Sequence, residues 1–136
     1  MKKIPILDLD GVEIAFILAS SRVESGIRFY NDEDDSLQIG SMCRPTGYLI
    51  ESHIHNSVPR TIEYTKEVLF IKSGIVKIFF YSDSKKYLCE HIMKVGDFVF
   101  LGYGGHGLEI IEEAEIIEIK QGPYVGDTDK TRFTNP

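Results

Sequence analysis

Tryptophan is absent from the 136 residues, cysteine occurs only as Cys43 and Cys89, and no apolar run is long enough to span a membrane. Two cysteines exclude a disulfide framework of the kind that staples small secreted domains, and each lies in a strand-like run where a small buried thiol is the ordinary role. A bilayer-crossing helix needs about 20 consecutive apolar residues. The stretch 12–18 is far shorter and contains Glu13. Met1-Lys2-Lys3-Ile4-Pro5 begins basic but leads into no signal-peptide core. A cytoplasmic chain is the expectation. Basic residues are outnumbered as well: 15 Lys and Arg against 21 Asp and Glu leave a net charge of −6. Without a basic stripe to meet phosphate backbones or anionic lipid, neither nucleic acid nor a membrane is an expected partner.

Helical periodicity is equally scarce. Only 19–25 offers a helical turn, too short to be stable alone. What is present is a succession of short runs rich in β-branched and aromatic residues, each bounded by Gly, Pro, Asn, Asp or Ser. The predicted strands are 4–9, 13–18, 26–30, 37–43, 48–55, 61–64, 68–72, 75–81, 86–93, 98–101, 107–111 and 115–120. Turn residues separate them at Lys72-Ser73-Gly74, at 81–85 and at Val95-Gly96-Asp97. This pattern predicts an all-β fold, an antiparallel barrel or sandwich. One domain fits the length, with N-terminal strands in 1–45, a core in 46–120 and a polar tail or arm in 121–136. The apolar strands 4–9 and 13–18 predict a homodimer, by pairing across chains to protect a sheet edge.

Three of the four histidines fall where a metal site would want them. Side chains alternate faces along a strand, so His53 and His55 point to one side and can share an ion. Glu67 has the parity of Leu69 and Ile71, and His106 that of Leu108 and Ile110. Each is then a polar residue at the mouth of an apolar interior, where ligation would compensate the cost of burial. Leu49, Leu69, Tyr103 and Leu108 are the expected pocket lining. Glu51, on the face of His53, and Arg60, Glu63 and Tyr64 nearby are candidates for catalytic support. His91, between Glu90 and Ile92, reads as structural, and the glycine density of Gly102-Tyr103-Gly104-Gly105-His106-Gly107 as a sharp turn or a close backbone approach.

These residues resemble the two motifs of the cupin family. Gly47 precedes five residues and then His53-Ile54-His55, and Glu67 is followed by six residues and Gly74. The second motif is similar to Gly96, the five residues 97–101, Gly102-Tyr103-Gly104 and His106. The likeness covers residues 47–106 and departs from the family in three ways. Eleven residues part His55 from Glu67 where the family has a few, which keeps Glu63 as a rival ligand; Gly102 replaces a proline; and Ile110 stands where an asparagine is common.

The resemblance implies a jelly roll, the double-stranded β-helix, with a divalent transition metal (Fe, Mn, Zn, Ni or Co) held by His53, His55, Glu67 and His106. Residues 120–127 look like small stand-alone cupins, some linked to polysaccharide or sugar metabolism. The expected function is therefore a metal-dependent protein, an isomerase or dioxygenase, acting on a small polar metabolite such as a sugar derivative. A non-catalytic binding or regulatory module, and a metal-free epimerase or isomerase with His53 or His55 as base, are the alternatives.

Overall fold

The structure is a computed structural model that describes residues 1–134; Asn135 and Pro136, the end of the expected tail, lie outside the described residues. Eight strands form among the described residues: β1 Lys2–Leu7, β2 Glu13–Ala19, β3 Gly26–Phe29, β4 Gly40–Cys43, β5 Glu67–Tyr81, β6 Tyr87–Met93, β7 Phe98–Leu101 and β8 Gly105–Lys120. Among the described residues the one helical element is a 3-10 turn, Gly126–Asp129, so the chain is all-β and the turn expected at 19–25 does not form. Every strand pair is antiparallel. Six strands make a curled half-barrel sheet in the order β1-β2-β7-β5-β6, with β8 on the far side of β5; β3 and β4 make a separate hairpin.

β2 explains how the two layers are held. Ile14 to Leu18 are all buried, a continuous run with no polar face, as a strand covered on both sides requires. Ile14, Ala15 and Ile17 join the inner core with Leu69, Ile71, Val76, Ile78, Phe80, Met93, Val99 and Leu101. Phe16 and Leu18 join a second cluster with Tyr30, Val68 and Phe100, onto which Leu37 and Ile39 pack from the segment between β3 and β4. Phe16 stacks on Phe100 at 4.9 Å, and burying such a side chain contributes about 2–3 kcal/mol.

Two pairs of predicted strands prove to be single long ones. The runs 68–72 and 75–81 join as β5, and 107–111 and 115–120 join as β8. Lys72-Ser73-Gly74 is a bend within β5, where pairing with β8 shifts register three times between Ile71 and Val76. Gly74 has φ +79° and lies so close to the Glu113 carbonyl that a Cβ would collide with it. Such bulges bend and twist a strand without reversing it. The other two predicted turns form. Ser82 and Lys86 close the β5–β6 hairpin through a 2.9 Å backbone bond. The Asp97 carboxylate accepts from the backbone of Lys94 at 2.8 Å and of Ser20 at 2.7 Å.

The strands predicted at 48–55 and 61–64 do not form. Residues 44–66 adopt no regular structure, and those from Met42 to Thr65 are exposed. Alternation alone cannot make a strand; a ladder partner must be there, and this segment, broken by Ser52, Asn56, Ser57 and Pro59, has none.

Candidate functional site

The bend in β5 builds the site. Glu67 opens β5, whereas His106 pairs with Phe80 near the strand's other end. In a straight strand these thirteen steps would span about 43 Å. Yet His106 Nε2 lies 3.3 Å from Glu67 Oε2. The sheet curls until the two ends meet, and the short loop 102–104 closes the gap between Leu101, the β7 partner of Glu67, and Gly105 at the head of β8. Two glycines explain how the loop fits. A Cβ on Gly104, at φ +75°, would lie 2.7 Å from the Tyr81 carbonyl oxygen, and one on Gly105 would press on the Phe133 ring at 3.0 Å.

Glu67 is mostly buried and has two nitrogen neighbours, an imidazole and an ammonium. His106 Nε2–H donates to one carboxylate oxygen, and Lys120 Nζ stands 3.7 Å from the other. The His106 hydrogen bond holds the Glu67 carboxyl below its ordinary range against the opposing effect of burial, helped by the charges of Lys120 and Lys130. Lys120 reaches on to Asp129 at 2.9 Å, which raises the lysine and lowers the aspartate, and Thr65 Oγ1 donates to Asp129 at 3.3 Å. With Nε2 bonded to the carboxylate, a neutral His106 ring has Nδ1 as its basic nitrogen. The pair can therefore accept and return a proton.

This network faces a cleft of about 770 Å³, within the range of small-molecule sites. Glu63, Tyr64, Asp83, Tyr103 and, from the tail, Lys130, Arg132 and Phe133 complete its lining. Tyr64 and Tyr103 meet edge to face at 4.9 Å. Burial, with Asp83 nearby, raises the Tyr103 hydroxyl, which stays protonated at neutral pH.

Of the four expected ligands, Glu67 and His106 come together here. His53 and His55 also come together, ring centroids 5.3 Å apart and nearly perpendicular, but in the exposed segment, where His53 Nδ1–H donates to the Glu51 carbonyl at 3.0 Å. Among the described residues no group of three or more His, Cys, Asp or Glu side chains is placed to hold an ion. In this arrangement, then, the four do not fit one metal, and Lys120 already shares the Glu67 carboxylate.

Glu63, Tyr64 and Tyr103 line the cleft. Glu51 and Arg60 remain in the exposed segment. Leu49 is 83% exposed, Leu69 is sealed in the core at 4%, and Leu108 lies outside the cleft lining. His106, Leu108 and Ile110 do share the inner face, as their partners Phe80, Ile78 and Val76 require, but Leu108 and Ile110 are 37% and 52% exposed there. The sequence reading passed over Lys120, Asp129, Lys130, Arg132 and Phe133. Lys120 carried a signal, being the one lysine or arginine in a strand with five glutamates. The tail carried none, since its approach to the cleft depends on the curl. Comparison with family models, curated proteins and solved structures finds no match.

Proposed function

We propose that the cleft binds a small polar metabolite, a sugar derivative, and that His106 with Glu67 is its reactive centre. The observation that carries this reading is the 3.3 Å His106–Glu67 pair opening onto a cleft that offers aromatic faces, hydroxyls and charges of both signs. A polyhydroxylated ligand needs donors and acceptors together, and apolar ring faces to cover its carbon skeleton. Proton transfer by an imidazole set by a carboxylate is the step that sugar isomerisation and epimerisation share. The test is a titration with glucose, galactose and mannose, followed by amide NMR shifts. Saturable changes at Glu67, Tyr103 and His106 are expected, weakened at least about tenfold in His106→Ala, the scale of one well-placed hydrogen bond. Absence of saturable change at all three residues with every sugar would sink the reading.

A second reading rests on the two donor pairs already formed, His53 with His55 and Glu67 with His106. It is a divalent transition-metal site that forms if the exposed segment carries its histidines to the cleft. Elemental analysis of protein purified without an affinity tag decides it. About one ion per chain, lost in a His53→Ala/His106→Ala variant, supports it; metal content unchanged in that variant removes it.

A further inference from the structure

The cations around the cleft differ in their partners. Lys120 is bound to Asp129 and shared with Glu67. Lys130 and Arg132 line the same cleft but take part in none of the ion pairs among the described residues. Two of the four acids facing them are already paired. Asp129 is held by Lys120, and Glu67 by His106 and Lys120, which leaves Glu63 and Asp83, the latter beside Tyr103. In a chain with a net charge of −6, two cations outside any ion pair on one cleft stand out from the background, although the charge of Lys130 also acts on Glu67 and Asp129.

They are also held in place. On one side of Lys130-Thr131-Arg132, Asp129 is tied to Lys120 and to Thr65. On the other, Phe133 meets Tyr81 edge to face at 5.0 Å and rests on Gly105. A tripeptide anchored at both ends presents its charges at less entropic cost than a free tail would.

We infer that Lys130 and Arg132 form an anion subsite, so that the ligand carries a phosphate or carboxylate group at the tail side of the cleft and turns its hydroxylated body to Glu67 and His106. This inference rests on the sugar-binding reading above. A guanidinium beside an ammonium suits either oxyanion, the former through paired hydrogen bonds and the latter as a point charge. The attraction weakens as salt screens it.

Calorimetric titration of the full chain with glucose, glucose 6-phosphate, glucuronate and inorganic phosphate tests the inference. Glucose 6-phosphate, glucuronate or both should bind at least about tenfold more tightly than glucose at low salt, and that preference should fall below about threefold in Lys130→Ala/Arg132→Ala. The two arms tell phosphate from carboxylate. Both substituted side chains are exposed, and an unchanged thermal transition confirms that the variant folds. Equal affinity for glucose and both anionic sugars, or a preference that survives the double substitution, overturns the subsite. If inorganic phosphate binds and the double variant abolishes it, while no sugar shifts Glu67 or His106, the subsite stands and the sugar reading fails.

Discussion

β5 and the segment before it are both rich in apolar residues with strand-like alternation, yet one is the spine of the molecule and the other lies in solvent. β5 pairs with β7 along its first residues, with β6 along its last and with β8 throughout, and eight of its fifteen residues are buried. Residues 44–65 join no strand ladder, leaving Leu49, Ile50, Ile54 and Val58 exposed. The difference teaches that a period-two pattern says which way a side chain will face if a partner strand arrives, without supplying that partner. It also divides the candidate site. Glu67 belongs to the spine and is positioned by it, whereas His53 and His55 belong to the segment and are positioned by each other.

The largest effect that would sharpen this contrast is on stability. Phe80→Ala, in the inner core, should cost about 3–5 kcal/mol in urea denaturation. Leu49→Ala should change stability by no more than about 0.5 kcal/mol. A comparable loss at Leu49 would break the comparison by showing the segment to be packed. Next comes the bend: Gly74→Ala places a Cβ against the Glu113 carbonyl at positive φ and should cost about 1–3 kcal/mol. The same denaturation experiment reads it, and a neutral result would mean that the curl does not depend on this glycine. Third, sugar binding should weaken at least about tenfold in His106→Ala and stay unchanged in His53→Ala, measured by the same NMR titration. Equal losses would place both histidines in one site.

The smallest effect is a pH dependence in the tail. Lys120, the main influence, holds the Asp129 carboxyl below its ordinary value, with Thr65 and Lys130 acting the same way. A lowered folded pKa means that the tail's docking is fully supported above the unfolded carboxylate value of about 3.9 and is lost as pH falls through the lower folded value. Phe133 ring signals should therefore shift toward their free values in that acid window. Asp129→Asn should remove the dependence.

Much of the fold was legible because burial and turn chemistry are local. The apolar run at Ile14 to Leu18 marked a strand, though not that it would be buried between β1 and β7, and the polar run 82–85 marked a hairpin. What misled was Lys72-Ser73-Gly74, whose composition suits a hairpin as well as a bulge. The choice was made by the long pairing of β5 with β8, a contact between distant parts of the chain. The site was half legible for the same reason. Parity placed Glu67 and His106 on the inner face, where they meet. The contributions of Asp129, Lys130, Arg132 and Phe133 follow from the curl and the path of the tail, neither of which leaves a mark in residue spacing.

The ring nitrogens of the histidines test the central claim most directly, because the two environments select opposite tautomers. Long-range proton–nitrogen NMR spectra, recorded where the rings are neutral, should show His106 carrying its proton on Nε2, aimed at Glu67, with that preference lost in Glu67→Ala. His53, whose Nδ1–H donates to the Glu51 carbonyl, should lean the other way. A His106 tautomer mixture that matches those of His53 and His55 and ignores the Glu67 substitution would contradict the account.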